Sequence, residues 1–335
     1  MKAWQVTSYA HPSKLRMTVD ALEPKPAPGE VIVEVYSAAL NFFDILQAQG
    51  KYQVQPPFPF TLGAELAGCI AANSPIPPGC PYKPGDRVFG SGQGAYAERT
   101  AIEWRKLHPI PRGMSFDQAS GLFVTYPTSY EALIGRAQLQ PGEWILVHAA
   151  AGGVGLVAVQ IAKAVGAKVI ATAGSSQKLD VAKRLGGADE VLNYREAGWQ
   201  KEVMRITGGK GVDVIYDPVG LIRDSLKCIA WKGRAVVVGF VGGEIEKLAL
   251  NLVLLKNISI VGIHWGAYLK FDVPRIPVVW NALFELFESK KLVPVVYERT
   301  FRLDQLPEAL DALEKRETYG KVVIRVKDEA SRAKL

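Results

Sequence analysis

The stretch at residues 143–155 constrains this chain more than any other. Trp144-Ile145-Leu146-Val147-His148 is a short apolar run with β-branched members, which reads as a strand. It breaks off in Ala149-Ala150-Ala151-Gly152-Gly153-Val154-Gly155, and residues 156–165 resume with apolar residues at helical spacing, ending at Gly166. A strand, a tight turn of small residues and a helix form the setting that a dinucleotide fingerprint needs. Small residues let the backbone approach a pyrophosphate, and the helix N-terminus turns its free N–H groups towards the anion. The spacing is Ala150-x-Gly152-x-x-Gly155, with alanine in place of the first glycine of G-x-G-x-x-G. A mere strand–helix turn does not explain Gly152, Gly153 and Gly155 crowded at a helix start. Ala150, Gly152, Gly153, Val154 and Gly155 are therefore expected to hold a dinucleotide.

The rest of the chain fits around that unit. From 123 to 266 strand and helix patterns alternate. The apolar runs predict strands at 144–149, 168–173, 190–193, 213–217, 234–239 and 258–263, with helices near 154–165, 177–185, 197–207 and 221–230. Six strands with helices between them fit an α/β, doubly wound parallel sheet. Residues 1–122 look mostly β. Strands are expected at 1–8, 31–36, 63–71 and after the Gly85-Asp86 turn, with a short helix at 39–49. Ser115-Phe116-Asp117-Gln118 reads as a capping box that opens a helix. Beyond 267 the pattern predicts a long amphipathic helix at 274–290, a strand at 295–301, a helix at 304–316 and a strand at 321–326. Periodicity leaves open whether this part extends the sheet or returns to the first domain. With 335 residues, two domains are expected, and a hydrophobic content of 48% is ample for both cores.

Charge and cysteine usage narrow the function. The formal net charge of +7 suits an anionic ligand, but the basic residues are spread out, which does not point to nucleic acid. Cys69, Cys80 and Cys228 are scattered, fit a reducing compartment and give no zinc spacing. No apolar run has transmembrane length. The sequence Ser331-Arg332-Ala333-Lys334-Leu335 resembles the peroxisomal address Ser-Lys-Leu, so Ala333-Lys334-Leu335 predicts a peroxisomal location, with the cytoplasm as the alternative.

The second strand of the unit chooses between the two nicotinamide dinucleotides. Proteins that bind NAD carry an Asp or Glu at its end to hold the ribose 2′-OH. Here it runs Ile170-Ala171-Thr172-Ala173 into Gly174-Ser175-Ser176-Gln177-Lys178, with no acid. Ser175 can hydrogen-bond a 2′-phosphate and Lys178 can neutralise it, which makes NADPH the expected cofactor, with Gly174 at the turn. Ser175 also reads as an ordinary helix N-cap and Lys178 as a surface residue.

Taken together, the motifs identify a resemblance. They are Asn41-Phe42-Phe43-Asp44 with Gly50-Lys51-Tyr52, Gly63-x-Glu65-x-x-Gly68, Gly85-Asp86-Arg87-Val88, Thr128-Ser129-Tyr130, the 149–155 turn, Asp217-Pro218-Val219-Gly220, Val238-Gly239-Phe240 and Tyr319-Gly320-Lys321. The chain resembles the zinc-independent medium-chain dehydrogenase/reductases of the quinone oxidoreductase group. The resemblance implies a GroES-like β domain built from 1–122 and 267–335, a Rossmann domain at 123–266 that binds NADP(H), and an active site in the interdomain cleft. It implies a homodimer that pairs edge strands around 257–263. Asn41 and Thr128 match positions near the nicotinamide and the substrate, Tyr194 one that reaches the 2′-phosphate, and Phe240, Val241 and Gly242 a loop that meets the carboxamide. Lys321 matches a lysine that is conformationally supporting or close to the cofactor.

Zinc-dependent members use a cysteine and a histidine as ligands. The first position falls near Asn41-Phe42, and Ala64 of Gly63-Ala64-Glu65 replaces the second, so no metal is expected. Glu65 is left as a structural acid partnered by a basic group or backbone. The implied reaction is hydride transfer from NADPH to a quinone or an α,β-unsaturated carbonyl. Without a metal, hydrogen-bond donors must polarise the acceptor; Tyr52 is the candidate donor, and Asn41 is expected to orient the acceptor or the nicotinamide ribose. Tyr52 also reads as a loop tyrosine packed near Pro56 and Pro57. A trans-2-enoyl-CoA (thioester) reductase and a non-catalytic NADPH-binding protein are the alternatives. His264 is expected to be a buried histidine with a satisfied hydrogen bond.

Overall fold

The alternating pattern of 123–266 becomes one parallel sheet. In the computed structural model, which describes residues 1–243 and 245–328, its strands are β1 (Trp144–Val147), β2 (Lys168–Ala173), β3 (Glu190–Asn193), β4 (Val212–Asp217), β5 (Ile229–Val237) and β6 (Ser259–Gly262). Their order is β3-β2-β1-β4-β5-β6, all parallel. Ile145, Leu146 and Val147 are fully buried, as are Val169, Ile170 and Ala171, because a parallel sheet is covered on both faces. That is why these strands read as continuous apolar runs. Helices α1 (Gly153–Val165), α2 (Ser176–Arg184), α3 (Trp199–Ile206) and α4 (Leu250–Lys256) belong to the same unit. Helix α1 ends at Gly166, whose φ of 92° is a left-handed C-cap suited to glycine.

The first unit is an antiparallel assembly centred on a ten-residue strand, Glu30–Ala39. Among the described residues its larger sheet has seven strands. Glu30–Ala39 pairs antiparallel with Glu65–Ile70, Arg99–Glu103 and Val323–Arg325. The last of these comes from the far end of the sequence, so the late residues do return to the first unit. Short helices close its rim, among them Phe42–Ala48 and Phe116–Ser120, the latter opened by the Ser115/Gln118 capping box.

The chain divides into Met1–Val124 with Pro294–Leu335, and Thr125–Val293. The expected division placed 267–293 with the first unit. In the structure the helix Arg275–Glu288 belongs to the second, where Phe287 packs its ring against Tyr126 at 5.0 Å. Strand β5 starts five residues before the expected 234, so the helix expected at 221–230 shrinks to Ile222–Ser225 plus one tight turn, Leu226–Cys228. The strand expected at 295–301 is a single bridge, Val296 to Lys321, and the two-residue strand Phe301–Arg302. His264 is exposed, against the expected burial. No helix among the described residues is long and apolar enough to cross a membrane. Ala333-Lys334-Leu335 lies outside the described residues.

Candidate functional site

In the second unit the expected cofactor residues gather at the carboxyl ends of the parallel strands, where open α/β sheets bind ligands. Strand β1 feeds the turn. Gly152 is the N-cap of α1 and no side chain caps the helix, which leaves its first N–H groups directed at whatever binds there. A Cβ at Gly155 would lie 2.3 Å from the Ala149 carbonyl oxygen, so the turn closes only around glycine. The order in which strands are added reverses between β1 and β4, the switch point of the sheet. Both observations fit a pyrophosphate at this turn.

Thr128 is tied to the same place. Its neighbour Ser129 is fully buried and hydrogen-bonds the Val154 carbonyl at 2.9 Å and the Tyr216 hydroxyl at 2.8 Å. The helix Leu122–Tyr130 is thereby pinned to the first turn of α1. After β4, the Asp217 carboxylate accepts from the N–H groups of Val219, Gly220 and Leu221 and shapes the next loop. Val241 and Gly242 donate to the carbonyls of Pro218 and Val219 at 3.1 and 3.0 Å, so Phe240, Val241 and Gly242 are zipped onto that loop. A Cβ at Gly242 would meet the Val219 oxygen at 2.5 Å.

At the end of β2 the structure adds a residue that sequence reasoning missed. Ser175 caps α2, its hydroxyl oxygen facing the Lys178 N–H at 3.5 Å. Ser175 thus has the expected capping role, and a hydroxyl that accepts there still has a proton to donate. A Cβ on Gly174 would lie 2.9 Å from Nε of Arg195 and 3.2 Å from the Tyr194 hydroxyl. Gly174, Ser175, Tyr194 and Arg195 therefore share one corner, with one cation and two hydroxyls, and Lys178 stands in the first turn of α2 next to it. That donor set fits a phosphate monoester. Arg195 directly follows Tyr194 after β3, and this adjacency was the only signal in the sequence.

The first unit holds the other candidates. Asn41 is the N-cap of the helix Phe42–Ala48, and its backbone N–H donates to Asp44 Oδ2 at 2.8 Å. Its side-chain Nδ2 donates to Glu65 Oε1 at 2.9 Å. Lys321 donates to the Leu40 carbonyl at 3.0 Å, to Asn41 Oδ1 at 2.9 Å and to Glu65 Oε1 at 2.5 Å. All three of its N–H groups thus find partners inside this unit. The other oxygen of Glu65 accepts from the Val124 N–H at 3.1 Å, so this acid has both the basic and the backbone partner expected of it. Gly121 makes room for the lysine: a Cβ there would sit 2.8 Å from Lys321 Cγ.

Asp44 is fully buried beside this group and hydrogen-bonds the Tyr96 hydroxyl at 2.5 Å. Burial pushes its carboxyl up to about 7, against the pull of Tyr96, Asn41 and Lys321. Tyr52 lies partly buried with its ring stacked on Phe43 at 5.1 Å. Burial raises its hydroxyl above the ordinary value, and the nearby Asp44 adds to the rise, so Tyr52 stays a protonated donor. Among the described residues no three of His, Cys, Asp and Glu are placed to hold a metal ion.

These features agree with known proteins. Residues 27–112 match the family described as alcohol dehydrogenase GroES-like domain, and residues 153–286 match zinc-binding dehydrogenase. A quinone oxidoreductase-like protein 2 homolog of Nematostella vectensis is 39% identical over 89% of this chain and 82% of its own length. The quinone oxidoreductase of Homo sapiens is 34% identical over 89% of this chain and 90% of its own. The Escherichia coli quinone oxidoreductase complexed with NADPH is 32% identical and superposes with a TM-score of 0.87 over 97% of this chain and all of that one. The chain belongs to the medium-chain dehydrogenase/reductase superfamily, in its quinone oxidoreductase group.

Proposed function

We propose that this protein is an NADPH-dependent oxidoreductase that reduces a quinone or an α,β-unsaturated carbonyl without a metal. The observation that carries it is the corner of Gly174, Ser175, Tyr194 and Arg195 at the end of β2, with Lys178 next to it, which fits a 2′-phosphate and contains no acid. A reduced nicotinamide supplies a hydride when bound. The protein's own residues do the rest. Ala150, Gly152, Gly153, Val154 and Gly155 hold the pyrophosphate. Thr128, Phe240, Val241 and Gly242 flank the nicotinamide. Asn41 and Tyr52 donate hydrogen bonds to the acceptor oxygen.

An NADPH-oxidation screen across quinones, enones and enoyl-CoA chain lengths tests this reading. Turnover on quinones or simple enones supports it. Turnover confined to enoyl-CoA would replace it with a thioester reductase, and tight NADPH binding without any turnover would replace it with a binding role.

The homodimer belongs to the same reading. Strand β6 is an edge of the sheet, and Leu250, Leu254 and Leu255 of α4 are 78%, 78% and 67% exposed, which suits a face covered by a second copy. Light scattering at micromolar concentration checks it, and a monomer there would refute it. The peroxisomal address rests on Ala333-Lys334-Leu335 alone. A tagged protein that stays punctate without those residues would refute it.

A further inference from the structure

Three segments far apart in the sequence meet at the side chain of Asn41. Nδ2 faces Glu65 and Oδ1 faces Lys321, while Lys321 and Glu65 bond each other at 2.5 Å. Asn41, Glu65 and Lys321 are 7%, 0% and 7% exposed. An unrestrained carboxamide is ambivalent: half a turn about its last bond exchanges a donor for an acceptor. Here the flipped form would set Oδ1 against the Glu65 carboxylate and Nδ2 against the Lys321 ammonium. Both contacts would be between like groups, in a largely buried site.

We infer that Lys321 and Glu65 are positioning residues that lock the Asn41 amide in one orientation, so that it offers a bound acceptor an N–H and not its oxygen. This rests on the reading of Asn41 given under the proposed function. The carboxamide has two N–H protons, and Glu65 takes one. The lock therefore leaves a donor, which selects an acceptor that presents a carbonyl oxygen. Glu65 carries the same constraint to the backbone at Val124 through its second oxygen. Gly121 completes the device. Its missing side chain is the space that the lysine stem occupies, with Cγ, Cβ and Cε at 2.8, 3.0 and 3.2 Å from where a Cβ would stand. Alanine at 121 would displace the lysine without altering any charge.

A double-mutant cycle on the full chain tests the lock, with NADPH and a quinone as substrates. Lys321→Met is expected to lower kcat at least tenfold while the KM for NADPH stays within twofold. Added to Asn41→Ala, it should cost nothing further, because its effect passes through that amide. Gly121→Ala should give a smaller loss of the same kind. Because Lys321→Met strands a buried acid and can fail to fold, Lys321→Met/Glu65→Gln provides a charge-neutral version with the same expected loss. Lys321→Arg should restore part of kcat. With selective labelling of asparagine by nitrogen-15, the Asn41 amide protons should exchange slowly in the wild type and quickly in the charge-neutral variant. Losses that multiply in the double mutant, or an NADPH KM that rises as far as kcat falls, would overturn the inference. Full turnover by Asn41→Ala alone would instead remove the role of Asn41 as a donor to the acceptor.

Discussion

His148 in the second unit and Lys321 in the first are both buried, and their surroundings treat them oppositely. His148 has no solvent exposure and stands at the end of β1, just before the dinucleotide turn. Its Nε2 lies 2.8 Å from Ser225 Oγ and its Nδ1 2.7 Å from Thr172 Oγ1. Ser225 already donates to the Leu221 carbonyl at 2.6 Å, so it accepts from Nε2–H, and Thr172 donates to Nδ1 at 2.7 Å in preference to the Val147 carbonyl at 3.5 Å. The ring is thus neutral, and burial pushes it down to about 4. Lys321 instead has one partner for each of its three N–H groups: a carboxylate, an amide oxygen and a backbone carbonyl. A neutral relay joins strands with hydroxyl groups alone. A charged knot needs every partner in place, and in return it dictates which way an amide faces.

The largest effect expected from breaking this contrast is on stability. Lys321→Met leaves Glu65 buried without its cation and should cost about 3–5 kcal/mol, the usual penalty for halving a buried ion pair. His148→Phe leaves two hydroxyl groups to repartner and should cost roughly 1–3 kcal/mol. Hydrogen exchange, read separately in each unit, measures both. Equal losses would erase the distinction between knot and relay.

The pH response comes next. His148 falls from an ordinary value of 6.5 to about 4 on folding, so the unfolded chain takes up a proton that the folded one refuses. The second unit should lose stability as pH falls from 6.5 to about 4, by on the order of 3 kcal/mol. In the first unit Asp44 rises from 3.8 to about 7, so folding retains a proton there and stability falls as pH climbs between those values. Burial also lowers His108 in the same unit to about 4, with the sign of His148. The first unit should therefore be nearly level from pH 4 to 6.5 while the second slopes. Asp44→Asn should make the first unit slope like the second. Parallel slopes in the wild type would break the comparison.

Two smaller effects concern ligands. Arg195→Ala should weaken NADPH roughly ten- to hundredfold and NADH hardly at all, since one charge-assisted hydrogen bond to phosphate is removed. Binding titrations with both dinucleotides decide it, and equal losses would sink the phosphate assignment. Tyr52→Phe should lower enone turnover a few-fold, and more than that of ortho-quinones, whose products draw protons from water. No change with either acceptor would reduce Tyr52 to a ring packed on Phe43.

The sheet of the second unit was legible because parallel strands are apolar on both faces and glycine marks their turns. Helix α4 was not, because none of its residues is buried and its exposed leucines give no one-sided pattern. The segment near 295–301 has strand composition but finds a partner only at Val296 and at Phe301–Arg302, and composition does not reveal pairing. Among site residues, the turn and the lack of an acid after β2 were readable locally. The role of Lys321 was not, since its partners lie 256 and 280 residues away. Arg195 showed itself only when the fold laid it across Gly174.

The return of the strand Val323–Arg325 to the strand Glu30–Ala39 has a consequence for biosynthesis. The whole of the second unit is translated between the two halves of the first. Its sheet can close on the ribosome, domain by domain, while the first unit waits with an unfilled position beside its longest strand. During that wait Glu65 lacks the cation it pairs with, which is encoded 256 residues later. The arrival of the late segment 321–325 thus brings the missing strand and the partner of the buried acid together. Truncation anywhere upstream of residue 321 should leave a nascent chain with one finished domain and one that chaperones recognise as unfinished.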